Sequence, residues 1–295
     1  MCWIYRVLLF AVNFQSCAGS AMTLLYSIAD LRLAGISRGI TVLVGGGFHG
    51  KSTLLRALEV GCYNKVPGDG REFVVSDPTA VKVRAEDGRS IDGVDIHAYI
   101  NNLPFEKDTS RFSTEDASGS TSQAANIIEA LEQSSSLLLL DEDTCATNFM
   151  IRDSLMQQLV ARAKEPITPF IATVRSIFSE LQTSVVMVIG SAGDYFAVAD
   201  TVLMMDHYRP IDVTAKAKEI SASTPGNASA SQGLSIGTFK RRQLHRGCFQ
   251  RLSGNKCFAR ALGTVSLGRD PRPDGTEDEL DLGSFKMFRV RVEST

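Results

Sequence analysis

The sequence has few of the residues that mark several common protein classes. Its six cysteines are spread over 295 residues, and none lies at C-x2-C spacing. This excludes a disulfide scaffold and leaves a cysteine zinc site unsupported. The 31 basic and 33 acidic side chains nearly balance, so the chain as a whole offers no charge-based case for nucleic-acid binding. Hydrophobic residues at 44% and charged residues at 22% are ordinary globular values, which excludes wholesale disorder.

The sequence also lacks an apolar run long enough to span a membrane. The apolar stretch of residues 7–12 follows Arg6 and precedes small residues, a pattern typical of a weak secretory signal, but it is far too short for a span. A strand and a non-native start of the chain are the alternatives. We therefore treat residues 1–22 as an uncertain apolar segment and expect a soluble protein, either cytoplasmic or organellar, for example mitochondrial.

Short apolar, β-branched runs alternate with helical patterns along most of the chain. This alternation predicts an α/β fold with a mostly parallel sheet, flanking helices and a small antiparallel β part. Residues 94–122 are polar and are expected to be irregular. The predicted strands are 40–44, 72–75, 81–84, 137–140, 185–189 and 201–205, with short strands and a turn at 23–37, and the predicted helices are 52–58, 123–133, 150–164 and 173–181.

The pattern G-x4-G-K-S lies between a predicted buried strand and a helix start, which is the context of a P-loop, or Walker A motif. Glycines let successive backbone N–H groups face an anion, the lysine supplies a charge for the β- and γ-phosphates, and the serine hydroxyl can bind Mg2+. The motif therefore predicts an ATP site. Its predicted ATP-binding residues are Gly45, Gly47, Gly50, Lys51, Ser52 and Thr53.

Two acids follow the apolar run of residues 137–140. A buried strand would deliver Asp141 to the edge of the sheet beside the P-loop, where it would complete the Mg2+ site with Ser52. Glu142 lies one step further and could polarise the water that attacks the γ-phosphate. Glu142 and Lys51 are therefore the first candidates for catalysis.

Ser118 and Gly119 lie where the Leu-Ser-Gly-Gly-Gln signature of ATP-binding-cassette (ABC) ATPases precedes their second acid. A serine and a small residue at a helix N-terminus form an anion site that could cap the γ-phosphate bound by a second subunit. Both residues are therefore predicted to bind ATP across a homodimer interface. Ser120 and Thr121 depart from the signature, in which Gly and Gln stand at these places.

No histidine follows the predicted strand at 185–189, where ABC proteins carry a switch histidine. Ser191 is the best substitute, because its hydroxyl would lie near the γ-phosphate. No glutamine fits a Q-loop either, and the turn at 86–89 is the candidate replacement. Ser120, Thr121 and the missing switch histidine favour slow turnover.

Several strings together resemble the "predicted ATPase of the ABC class" family, whose members include a trypanosome mitochondrial RNA-editing ATPase. The resemblance covers roughly residues 30–220 and implies ATP and Mg2+ as ligands, with RNA as a possible partner. Family members carry an N-terminal domain, associated with RNA binding in the trypanosome protein, so the chain resembles a truncated member. The strings lie at residues 45–58, 67–75, 115–125, 141–144, 165–170 and 193–196.

The composition changes near residue 221. We predict an ABC-type ATPase domain at 23–220, a flexible linker at 221–236, and a basic and then acidic C-terminal segment at 237–295, partly disordered. The basic part, at 240–260 with interleaved phenylalanines, is either a nucleic-acid patch or a solvated tail.

Three functions stay open: an ATPase, an ATP-gated dimerisation module with little turnover, and a kinase, for which no acceptor site or arginine-rich lid is evident.

Overall fold

The computed structural model describes residues 9–14, 33–103, 108–152, 165–223, 234–237, 242, 266–269 and 278–281. The chain divides into two compact units, Met1–Arg242 and Gln243–Thr295. The described strands are β1 (Leu9–Phe14), β2 (Leu33–Ser37), β3 (Ile40–Val44), β4 (Val74–Val75), β5 (Val81–Val83), β6 (Arg89–Val94), β7 (Phe112–Ala117), β8 (Leu137–Asp141), β9 (Ser184–Val188), β10 (Thr201–Asp206), β11 (Arg209–Asp212), β12 (Ser266–Arg269) and β13 (Asp278–Asp281). The described helices are α1 (Lys51–Glu59), α2 (Gly119–Glu132), α3 (Thr147–Met150), α4 (Phe170–Leu181), α5 (Tyr195–Val198) and α6 (Thr214–Ser223), and a 3-10 turn covers Glu142–Thr144.

The main sheet of the first unit has the strand order β11-β10-β3-β9-β8-β5. Its strands are parallel except for β11, which runs antiparallel to β10. Alternate residues of β3 enter two separate cores: Ile40 and Val42 pack with residues of α2 and α4, and Leu43 packs with residues of α1. Both faces of the sheet are therefore covered, which explains the continuous apolar runs of the sequence. The α/β prediction is confirmed.

The described residues also form three smaller sheets. Strand β1 pairs in parallel with β2 and β4, while β6 and β7 form an antiparallel pair. The β6–β7 pair provides a small antiparallel part, as expected of the fold, but neither strand was among those predicted and residues 94–122 were expected to be irregular. In the second unit, β12 and β13 form an antiparallel pair within the C-terminal segment predicted at 237–295. Strand β1 corresponds to the strand alternative for the apolar start of the chain.

Helix boundaries differ from prediction where capping decides them. Helix α2 begins at Gly119 rather than near residue 123, because the Ser118 side chain caps it by accepting the Thr121 N–H. Helix α4 begins at Phe170, directly after Pro169, rather than at 173. Most of the helix predicted at 150–164 lies outside the described residues.

The predicted linker at 221–236 is ordered at both of its described ends. Ser221 lies in α6 and is buried, and Ile236 is 1% exposed in the core. The middle of the predicted linker lies outside the described residues, so its flexibility stays a prediction. No helix among the described residues is long and apolar enough to cross a membrane.

Candidate functional site

The predicted P-loop connects β3 to α1. Gly45 has a φ of 136°, and a Cβ at this residue would lie 2.4 Å from the carbonyl oxygen of Met205 in β10. Only glycine fits so close to a neighbouring backbone. Gly50 is the left-handed N-cap of α1, and Gly47 lies between them in an exposed part of the loop. The sequence therefore folds here as a tight loop that ends on a helix N-terminus.

Lys51, Ser52 and Thr53 form the first turn of α1, where free N–H groups and the helix dipole favour an anion. This turn is fully described, and none of its side chains is acidic. The Nζ atom of Lys51 donates to the carbonyl oxygens of Gly45 at 2.6 Å and Gly46 at 2.8 Å, so the ammonium group lies over the loop. The structure thus brings the six predicted P-loop residues into one loop suited to phosphate, and their role in ATP binding stays a prediction.

Asp141 is the last residue of β8, and β9 lies between β8 and the P-loop strand β3. Asp141 pairs with Val188 of β9, which lies in the same row of the sheet as Leu43 of β3. Two inter-strand spacings therefore separate the backbones of Asp141 and Leu43 by about 10 Å. Asp141 is 6% exposed, and one of its carboxylate oxygens accepts the Asp143 N–H at 3.4 Å. The predicted acid and the P-loop thus lie at one edge of the sheet, with β9 between them.

The Glu142 side chain crosses the end of β9. Its carboxylate accepts hydrogen bonds from the N–H groups of Gly190 and Ser191, the latter at 3.0 Å, and from the Ser191 hydroxyl at 2.5 Å. Partial burial alone would raise the pKa of Glu142, but these hydrogen bonds, the Ser191 hydroxyl above all, outweigh it and lower the pKa. The Glu142 carboxylate is therefore ionised at neutral pH and held by Ser191, whose role in place of the switch histidine stays a prediction.

Ser118 and Gly119 begin α2 away from the P-loop of the same chain. A Cβ on Gly119 would lie 3.2 Å from an Asp87 carboxylate oxygen and 3.3 Å from the Ala85 Cβ, so α2 starts directly beside the turn that follows β5. Strand β5 is three positions from β3 in the main sheet, which is about 14 Å. The structure therefore does not bring the two signature residues and the P-loop together within one chain.

The turn at 86–89 touches two of the predicted functional segments. The Glu86 N–H donates to the Ser122 hydroxyl of α2 at 2.8 Å, and the Ala85 N–H donates to the Thr144 carbonyl oxygen at 2.9 Å. Ala85 and the turn that follows it thus connect α2 to the segment after Glu142. A Q-loop role for the turn stays a prediction.

Sequence reasoning missed one buried polar residue that links these segments. Gln123 of α2 is 0% exposed, and its side-chain oxygen accepts the Ala146 N–H at 2.8 Å. Its amide nitrogen donates to the sulfur of Met150 at 3.4 Å. A glutamine on the apolar face of a helix needs such partners, and this was the signal available in the sequence.

The model of the ABC_ATPase P-loop domain family matches residues 8–242. The chain belongs to this family. The match extends beyond both ends of the predicted domain at 23–220 and confirms the ABC-class resemblance. The match also identifies the chain as a P-loop domain, in agreement with the geometry of the loop between β3 and α1.

Individual relatives of this ABC_ATPase domain are more distant. An uncharacterised protein of Methanocaldococcus jannaschii is 32% identical over 113 residues, which is 38% of this chain and 25% of that protein. The match thus spans about a quarter of the relative's length. Similar solved structures include cbiO1 of Clostridium perfringens, part of the ABC transporter complex cbiONQ, at 17% identity and a TM-score of 0.39, covering 67% of this chain and 88% of that one. A bacterial Atm1-family ABC exporter with ATP bound is 17% identical with a TM-score of 0.36, covering 66% of this chain and 39% of that one.

Proposed function

We propose that the chain binds Mg-ATP and hydrolyses it slowly to ADP and phosphate at the interface of two copies. The observation that carries this proposal is the convergence of the P-loop and Glu142 on the end of β9 in a family of P-loop ATPases. In this proposal Gly45, Gly47, Gly50 and Thr53 shape the phosphate loop, and Lys51 neutralises the β- and γ-phosphates.

Ser52 and Asp141 are the residues that would hold Mg2+. A serine hydroxyl and a carboxylate are hard oxygen donors, which Mg2+ prefers. Asp141 is almost fully buried, and the hydrogen bond to it from the Asp143 N–H is long. A cation would therefore compensate its charge well. When bound, the ion would neutralise charge that develops on the phosphates.

Glu142 would orient the attacking water and accept its proton. The lowered pKa of this carboxylate makes it a weak base, because proton transfer is most efficient when the pKa lies near the working pH. The Ser191 contacts therefore support slow hydrolysis. They equally support the alternative of an ATP-gated dimerisation module, in which ATP binding matters more than turnover.

Ser118 and Gly119 would act on ATP held by a second copy of the chain. They lie beside the turn after β5, a strand about 14 Å across the sheet from the P-loop strand of the same chain, which supports a composite site at a homodimer interface. A kinase reading has no comparable support, since it would need its site within one chain.

RNA-related work and a mitochondrial or cytoplasmic location remain predictions. Of the basic segment at 240–260, only Arg242 is described. Its guanidinium group pairs with Glu129 at 3.2 Å and Glu132 at 2.9 Å on α2, so this arginine is engaged within the domain rather than presented to a polyanion.

Replacing Lys51 with alanine tests nucleotide binding. We expect ATP affinity to fall by about tenfold to a hundredfold, because hydrogen bonds to a charged group are worth roughly 1.5–3 kcal/mol. Calorimetric titration with Mg-ATP measures the effect. Arg56→Ala is the matched control, since this exposed cation lies on the same helix but outside the loop. Equal affinities for Lys51→Ala and the wild type would contradict the ATP site.

Replacing Ser191 with alanine tests its contact with Glu142. Loss of the hydroxyl removes the strongest of the hydrogen bonds that lower the pKa of Glu142, so this pKa should rise. Turnover requires the ionised carboxylate and decreases as pH falls through this pKa. The acid limb of the turnover–pH profile should therefore move to higher pH in Ser191→Ala. An acid limb at the wild-type position would show that Ser191 does not set the ionisation of Glu142.

A further inference from the structure

The turn between β10 and β11 lies against the P-loop and brings two histidines and an aspartate together. One Asp206 carboxylate oxygen lies 3.2 Å from the Nδ1 atom of His49 and 2.7 Å from the Nδ1 atom of His207. One ligand atom from each of the three side chains lies within 4.8 Å of the others. The side chains are 31%, 48% and 86% exposed for His49, Asp206 and His207, so an ion from solution can reach them.

The backbone holds this arrangement in a conformation that bulky residues rarely adopt. Asp206 pairs with Arg209, so His207 and Tyr208 form a two-residue hairpin loop with φ values of 46° and 64°. Such turns usually contain asparagine and glycine. Here the turn is fixed to His49, whose carbonyl oxygen accepts the Tyr208 N–H at 3.1 Å.

Hydrogen bonding alone leaves the cluster poorly satisfied. The Nδ1 atom of His49 faces both the Asp206 oxygen, which is an acceptor, and the His207 N–H at 3.1 Å, which is a donor. A single ring nitrogen cannot donate to the first and accept from the second at the same time. A cation between the imidazole and the carboxylate would take up a lone pair of each, and the exposed His207 N–H would then donate to water instead of to His49.

We propose that His49, Asp206 and His207 bind a divalent transition-metal ion of the Zn2+ type. Two imidazole nitrogens and one carboxylate oxygen are a ligand set typical of zinc sites with an open fourth position. Tetrahedral bonds of about 2.0–2.1 Å require ligand atoms about 3.3 Å apart. The His49 and Asp206 atoms, 3.2 Å apart, are close to this value, whereas the His207 and Asp206 atoms, 2.7 Å apart, would have to separate by about 0.6 Å when the ion binds.

This site differs from the proposed Mg2+ site in place and in chemistry. Ser52 and Asp141 offer oxygen only, whereas nitrogen ligands select Zn2+, Co2+ or Ni2+ over Mg2+. The bound ion would join a P-loop residue to the β10–β11 turn. The proposal does not depend on ATP hydrolysis, and its failure would leave the proposed function untouched.

Calorimetric titration of Zn2+ into the nucleotide-free full chain, with Mg2+ present and any histidine tag removed, tests the proposal. The wild type should bind one equivalent, and His207→Asn should weaken this binding at least tenfold. Asparagine suits the choice because it tolerates the left-handed φ of residue 207. Asp206→Asn should have a similar effect and keeps the histidine turn intact. Thermal unfolding without metal checks that both variants are folded.

His97→Asn is the matched control. His97 also contacts an aspartate, with its Nδ1 atom 2.6 Å from an Asp95 oxygen, and its side chain is 46% exposed. Among the described residues, no third ligand completes that pair. Zn2+ affinity should therefore be unchanged in this variant.

Co2+ provides a second readout, because thiolate ligands give it an intense charge-transfer band in the near ultraviolet and nitrogen and oxygen ligands do not. The wild-type complex should lack this band. Absence of Zn2+ binding, equal binding by the wild type and both cluster variants, or a thiolate band that accounts for the bound ion would each overturn the proposal.

Discussion

Glu142→Gln is expected to retain bound ATP and to hydrolyse it at least about 10²-fold more slowly than the wild type, the usual scale for loss of a general base. The amide keeps the size of the side chain and can still accept hydrogen bonds through its oxygen. It cannot accept the proton of the attacking water. Single-turnover release of phosphate, measured beside ATP affinity, separates the loss of chemistry from a loss of binding.

Asp143→Asn is the control for this experiment. Asp143 is the next acid along the chain and is exposed, and it lies in the same 3-10 turn. Its carboxylate should not matter for the rate, although its N–H bonds to Asp141 and must stay in place. Wild-type turnover in Glu142→Gln, or an equal loss in Asp143→Asn, would remove Glu142 from the role of base.

The strands of the main sheet could be predicted because burial on both faces imposes a local signature. Strands β3, β8 and β9 are nearly continuous apolar runs, and no distant information is needed to find them. Strands β7 and β11 carry mostly polar side chains, and β11 lies at an edge of the main sheet. Strand β7 buries only its two end residues, Phe112 and Ala117, and β11 buries none, so neither strand leaves a clear apolar pattern in the sequence.

In the candidate site, too, residues that form a contiguous motif could be predicted, and contacts between residues far apart in the sequence could not. The P-loop is a short contiguous motif, so its glycines and Lys51 could be found directly. The contact between Glu142 and Ser191 joins residues 49 positions apart, and it could be anticipated only from the place of Ser191 after a buried strand. The cluster of His49, Asp206 and His207 gave no sequence signal, because His49 and His207 are 158 positions apart.

The expected dimer is best tested at Ser118 rather than at Gly119. A side chain on Gly119 would press against Asp87 and Ala85 within the same chain, so Gly119→Asp would disturb α2 as well as any interface. Ser118 is exposed, and its hydroxyl caps α2. Aspartate and asparagine are both good N-caps, so Ser118→Asp and Ser118→Asn differ chiefly in one negative charge.

In the Glu142→Gln background, where ATP is trapped, we expect Mg-ATP to produce a dimer and ADP to leave the chain monomeric, because the γ-phosphate would connect the two copies. Ser118→Asn should retain that dimer. Ser118→Asp should abolish it, since two unit charges about 4 Å apart repel by about 4 kcal/mol at an effective dielectric constant of 20, and this occurs at each of two sites. Both variants should bind ATP as monomers with nearly unchanged affinity, because the P-loop is untouched.

Light scattering with ATP, ADP and no nucleotide measures the outcome. A chain that stays monomeric with trapped ATP, or equal dimerisation of the two Ser118 variants, would leave the P-loop without a composite site and would favour hydrolysis, or simple binding, within one copy.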